Sequence, residues 1–286
     1  MIRRPPRSTL DRSSAASDVY KRQILVNNKL SLKNINVKYG ESLALKSINL
    51  DIYKGEFVVL LGSSGAGKST LLRTINQLNP LTSGELDFFD LGKIRNKKDL
   101  QNLRKKTGMI FQQHQLIERN TVFQNVLTGR LGFHSLFRSI LPLPKFDQEL
   151  ALDCIDRVSL LDKALVKVKE LSGGQQQRVG IARALAQNPS LILADEPIAS
   201  LDPKTSHQVL SMLKDICKKD NISALTSLHQ VDFAKEYGDR IIGLSHGKIV
   251  FNGKSDQLSD EILKNIYSSS PITEEANFTS NEVVMV

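Results

Sequence analysis

A chain of 286 residues suffices for one large α/β domain or two small ones, and it buries enough surface to need no covalent staple. Its two cysteines, Cys154 and Cys217, stand far apart, which argues against a disulfide framework or a metal knuckle and fits a reducing compartment. No apolar run approaches the roughly eighteen residues of a membrane-spanning helix, so any membrane role is expected to come through a partner.

The formal net charge of +9 is unevenly placed. Residues 1–23 hold Arg3, Arg4, Arg7, Arg12, Lys21 and Arg22 against only Asp11 and Asp18, and they are rich in Ser and Pro without periodicity. That composition reads as disorder, and the lack of an apolar stretch after the arginines argues against a signal peptide. Residues 3–10 and 13–23 resemble translated sequencing-adapter sequence, so 1–23 is expected to be a non-native leader, with the true protein beginning upstream of Ile24 by a few lost residues. A basic nucleic-acid-binding arm is the competing reading.

Short alternating runs between 30 and 56, such as Leu32, Ile35, Val37 and Leu45, Ile48, Leu50, predict antiparallel strands. They lead into an unbroken apolar run at 57–61, which suits a buried parallel strand. Directly after it come Gly62, Ser63, Ser64, Gly65, Ala66, Gly67, Lys68 and Ser69, the phosphate-cradling pattern G-x-x-x-x-G-K-[ST], with Thr70 continuing a helix. A helix starting there aims unpaired N–H groups and the positive end of its dipole at phosphate. Lys68 would reach the β- and γ-phosphate oxygens of a nucleoside triphosphate and Ser69 would hold Mg²⁺.

A polar, basic stretch at 93–106 precedes a strand-like run at 109–111 and Gln112, after which helical patterning is expected as far as Leu171. Leu171, Ser172, Gly173, Gly174 and Gln175 open a helix predicted to run until Asn188 and Pro189 stop it, and this helix start is a second anion site. Parallel strands are predicted at 191–194 and 222–227. Asp195 and Glu196 follow the first at its C-terminal edge, where ligands sit in open α/β sheets, and His229 follows the second. A closing hairpin broken at His246 and Gly247 is expected over 241–251, then a polar tail. His114, His134, His207 and His246 show no metal-ligand spacing and receive no role.

In order and spacing these segments resemble the ABC ATPase family over about 24–263, with a helical signature lobe at about 109–178 and a tail at 264–286. The resemblance implies an α/β P-loop cassette with a RecA-like core, an antiparallel β subdomain and a helical lobe. It implies that Asp195, with Ser69 and Gln112, orients Mg²⁺, and that Glu196 acts as general base or polarises the attacking water. It further implies that His229 contacts the γ-phosphate, that Gln112 hinges the lobe, that Asp202 lies in the loop crossing a dimer interface, and that Tyr39 stacks on adenine. Because the family completes each nucleotide site across two subunits, residues 172–175 are expected to serve a second copy, making the active unit a head-to-tail homodimer.

The stretch 125–138 with the following 141–144, Ile198 where threonine is common, and Gln230 after His229 resemble the ATPases of bacterial phosphonate importers. That likeness implies transmembrane permease subunits, an extracytoplasmic solute-binding protein and a place at the cytoplasmic face of the inner membrane, without specific nucleic-acid binding. Phosphate, phosphite or amino-acid import by a sister cassette remain open. Repair-type cassettes carry long coiled coils between phosphate loop and signature, and ribosome-acting ones carry two cassettes per chain; neither feature is present here.

Overall fold

The computed structural model describes residues 29–113, 115–135 and 141–268; the expected leader, His114, part of the 125–144 insert and the tail beyond Ser268 lie outside the described residues. Strands β1 (Lys29–Tyr39) and β2 (Ser42–Tyr53) pair antiparallel, with Leu30, Leu32, Ile35 and Val37 of β1 buried beside Ile48, Leu50 and Ile52 of β2. After β3 (Phe57–Leu61) and helix α1 (Lys68–Ile75), β4 (Ser83–Phe88) pairs with β1, and the short β5 (Gly92–Lys93) completes a four-stranded antiparallel sheet. Every residue of β3 is buried, as a strand covered on both faces requires.

The basic stretch forms α2 (Lys97–Lys105), whose N-cap Asn96 accepts from the N–H groups of Lys98 and Asp99. Next come β6 (Thr107–Ile110), α3 (Val122–Leu127), a 3₁₀ turn (Thr128–Phe133), α4 (Lys145–Arg157) and α5 (Gly173–Leu185). Helix α5 ends short of the expected stop: Asn188 takes a left-handed φ of 49°, a conformation asparagine tolerates, and Pro189 disfavours helical geometry just before it. The chain closes with β7 (Leu191–Asp195), α6 (Pro203–Asp220), β8 (Ser223–Ser227), α7 (Val231–Tyr237), β9 (Arg240–Ser245), β10 (Lys248–Gly253) and α8 (Asp260–Tyr267). The last helix carries ordered structure past the expected start of the tail at 264.

The second sheet has the order β10-β9-β3-β8-β7-β6, parallel apart from β10. Alternation along its strands divides the interior. Val58 and Leu60 join α1 and the antiparallel sheet in one core, whereas Phe57, Val59 and Leu61 join α5 and α6 in the other. Each fully buried aliphatic side chain there contributes about 1.5–3 kcal/mol. The sheet is therefore held rigid from both faces, and its C-terminal edge is a fixed platform for loops.

A buried polar cluster ties the 128–135 segment to its neighbours. Arg130 Nε donates to Asp147 Oδ1 at 2.7 Å and its Nη1 to the Ala186 carbonyl at 3.0 Å, while His134 Nε2 lies 2.7 Å from Asp147 Oδ2. The Arg130 guanidinium also stacks 4.0 Å over the Phe133 ring. Burial works against the Asp147 carboxylate, but the hydrogen bonds from Arg130 and His134 outweigh it and hold its pKa below the ordinary range.

Candidate nucleotide site

The loop after β3 turns sharply into α1, and Gly67 at its N-cap takes φ 107°, which a side chain rarely permits. With no side chain at the cap, the first-turn N–H groups of α1 remain available to an anion. Lys68 is buried against the loop, its Nζ donating to the carbonyls of Gly62 at 2.8 Å and Ser63 at 3.1 Å. Burial holds the Lys68 ammonium pKa below its ordinary value, and the carboxylates of Glu196 and Asp195 offset this only in part. The β9–β10 turn braces the loop from behind: Gly247 N–H donates to the Ala66 carbonyl at 3.0 Å, and the Gly247 carbonyl accepts from Lys46 N–H at 2.8 Å.

Beside the loop, the C-terminal ends of β7 and β8 bring three polar groups together. Buried Asp195 accepts on Oδ1 from Ser69 Oγ at 2.9 Å and from Ser227 Oγ at 3.0 Å. Ser227 Oγ in turn accepts from Glu196 N–H at 2.9 Å. Glu196 holds a left-handed φ of 50°, unusual for a residue with a side chain, and the chain leaves β7 there in a sharp bend. Its Oε1 lies 2.6 Å from Nε2 of His229. Gln112 stands exposed two residues past Ile110, which pairs with Ala194, so it projects from the same sheet edge as Glu196.

The remaining expected site residues are placed differently. Ser172 caps α5 in a reciprocal box with Gln175, Gly173 is exposed, and Gly174 is buried against Thr205 of α6. Asp202 caps α6, accepting from Thr205 N–H at 3.0 Å. Among the described residues no hydrogen bond joins residues 172–175 to the phosphate loop of the same chain. Tyr39 ends β1 exposed, its hydroxyl accepting from Asn79 Nδ2 at 2.5 Å. Ser64, Gly65 and Thr70 lie on the loop and first turn of α1.

Sequence reasoning missed Ser227, which links Asp195 to the backbone of Glu196. The signal was its place at the end of an apolar strand next to the acid pair, visible only once β7 and β8 are known to be neighbours in register.

This arrangement can hold a polyphosphate and keep a carboxylate and an imidazole paired beside it. The family model for the ABC transporter matches residues 45–199. The chain is 57% identical over 241 residues to the phosphonates import ATP-binding protein PhnC 1 of Trichodesmium erythraeum, covering 84% of this chain and 96% of that one. It is 52% identical over 258 residues to the phosphite import ATP-binding protein PxtA of Stutzerimonas stutzeri, covering 90% and 94%. Among solved structures it resembles a dimeric ATP-binding cassette in a post-hydrolysis state bound to ADP and Pi, with TM-score 0.68 and 37% identity over 79% of this chain and 98% of that one. On the family match and these likenesses, the chain is an ATP-binding cassette and belongs to the ABC transporter family.

Proposed function

We propose that this chain is the ATP-hydrolysing subunit of a bacterial ABC importer and that it energises phosphonate uptake through separate permease subunits fed by an extracytoplasmic binding protein. The observation that carries the catalytic part is the Glu196–His229 pair at 2.6 Å, set beside the Ser69–Asp195 contact at 2.9 Å. The substrate part is supported by the relatives named for phosphonate import. By its likeness to importer ATP-binding proteins the chain is read as peripheral, at the cytoplasmic face of the inner membrane; among the described residues no helix is long and apolar enough to cross a membrane.

In this reading the loop N–H groups and Lys68 bind the β- and γ-phosphates of ATP, Lys68 exchanging its two carbonyl partners for phosphate oxygens. Ser69, Asp195 and Gln112 offer hard oxygen donors that fit Mg²⁺, and Ser69 Oγ and Asp195 Oδ1 already lie in contact. Bound there, Mg²⁺ supplies neutralisation of phosphate charge. Glu196 accepts the proton of the attacking water, and His229 orients the Glu196 carboxylate and contacts the γ-phosphate. Tyr39 offers an exposed ring for adenine. The exposed Ser172 and Gly173, with Gly174 and Gln175, serve the nucleotide of a second copy, and Asp202 lies near that interface, so closing two copies assembles two sites. Specific nucleic-acid binding has no place in this account.

A phosphite substrate is the second reading, favoured by the relative named for phosphite import, which covers 90% of the chain. The test is the ATPase rate of the chain assembled in proteoliposomes with its permease and binding protein, given a phosphonate, phosphite, phosphate or an amino acid in turn. Stimulation by phosphonate alone is expected. Stimulation by another solute discards the phosphonate assignment, and no stimulation in an intact complex discards the importer.

A further inference from the structure

The segment 228–230 carries His229 from β8 to α7, and its backbone partners can be followed one by one. Leu228 N–H donates to the Leu60 carbonyl at 3.0 Å, and the Gln230 carbonyl accepts from Ala234 N–H at 3.3 Å. Between them the His229 carbonyl accepts from Tyr267 Oη at 3.1 Å. Tyr267 is the last residue of α8, within the stretch the sequence assigns to a tail.

Helix α8 is firmly seated. Ser259 Oγ caps it by accepting from Ile262 N–H at 3.3 Å, and Ile266 is fully buried. It packs on Gly243 of β9, where a Cβ would stand 2.5 Å from Ile266 Cδ1, so the strand carries glycine where the helix approaches. The next residue, Ser268, has its carbonyl 3.3 Å from His246 Nε2 in the β9–β10 turn, the turn that also braces the phosphate loop. The end of α8 thus touches both the histidine loop and the support of the phosphate loop. The Tyr267 ring packs against the core, a task phenylalanine would perform equally, and only its hydroxyl reaches the His229 backbone. Burial raises the Tyr267 pKa, so the phenol keeps its donor proton at neutral pH.

We propose that Tyr267 is a positioning residue for the reaction: by holding the His229 carbonyl it fixes the backbone from which the imidazole reaches Glu196. This rests on the ATPase reading above. An imidazole whose backbone is free to shift loses its 2.6 Å contact with Glu196 in part of the population, and the fraction of productive sites falls with it.

The test is a double-mutant cycle on the full chain, measuring single-turnover and steady-state ATP hydrolysis, ATP binding and the melting midpoint. Tyr267→Phe is expected to lower kcat about two- to tenfold, the loss of one net hydrogen bond, with KM for ATP unchanged and the melting midpoint lowered by no more than about a few degrees. In a His229→Ala background the same substitution is expected to change nothing further, since no imidazole remains to be positioned. Full kcat in Tyr267→Phe overturns the proposal, as does an equal loss in both backgrounds, which marks a packing role. Glu196→Gln, run alongside, separates the two claims. If it hydrolyses ATP normally, the ATPase assignment beneath the proposal fails; if it is inactive while Tyr267→Phe is fully active, only the role of Tyr267 fails.

Discussion

Oε1 of Glu196 and Nε2 of His229 lie 2.6 Å apart although the residues are 33 positions apart in sequence. The geometry follows from register: β7 and β8 run parallel and side by side, with Asp195 opposite Ser227, so the residues just beyond their ends fall next to each other. The carboxylate is largely shielded, its side chain 15% exposed, while the imidazole at 45% faces the site opening. In the proposed mechanism this places the base on the shielded side and the imidazole toward the side from which phosphate enters.

Removing the imidazole should cost turnover and spare binding. His229→Ala is expected to lower kcat by about 10²-fold or more, the usual scale for removing one donor aimed at transition-state charge, with little change in ATP affinity. Stopped-flow nucleotide binding together with steady-state phosphate release checks both halves; a variant with normal kcat would remove His229 from the mechanism.

Ser227→Ala should act on stability and rate together. Its hydroxyl serves both Asp195 Oδ1 and Glu196 N–H in a buried setting, so the change leaves two polar groups short of a partner. A loss of about 1–3 kcal/mol is expected in urea unfolding, with reduced kcat because the bend carrying Glu196 loosens.

The buried Arg130–Asp147 pair gives a prediction distant from the nucleotide. Asp147→Ala strands the Arg130 guanidinium and should destabilise by about 3–5 kcal/mol near neutral pH. Because the folded carboxyl has a depressed pKa, its contribution is present above the unfolded carboxylate value and is lost as pH falls through the folded one. The stability gap between the parent chain and Asp147→Asn should therefore narrow in acid, as read from urea midpoints against pH.

Both cysteines are buried, and burial pushes their thiols up, Cys154 to about 11 and Cys217 to about 12. Neither should react with iodoacetamide at pH 8 in the folded chain, and both should react once it is unfolded in denaturant. The sign for stability is negative: as pH rises past the ordinary thiol value of 9.0 the unfolded state loses these protons first, so stability falls until the folded thiols ionise. Substituting both cysteines with alanine should flatten that alkaline fall.

Local pattern carried most of the architecture. The apolar run at 57–61, the glycines of the loop after it and the acid pair after 191–194 each mark their place through burial, backbone freedom or edge position, and the strands and helix fall where these patterns put them. What the sequence hid was tertiary. Ser227 gains meaning only from the β7–β8 register, and the Arg130–Asp147–His134 cluster only from the packing of α3, α4 and α5. Tyr267 was hidden although α8 is amphipathic, with Ile262, Leu263, Ile266 and Tyr267 on one face, because the partner of its hydroxyl, the His229 carbonyl, is set only by how the helix seats on the core.

The most direct test of the account compares Glu196→Gln with Lys68→Ala for ATP binding and steady-state hydrolysis. Glu196→Gln should bind ATP as the parent chain does and lose nearly all turnover, while Lys68→Ala should lose both, because one residue acts on the water and the other holds the phosphates. Undiminished hydrolysis in Glu196→Gln would contradict the assignment of the catalytic carboxylate and the mechanism built on it.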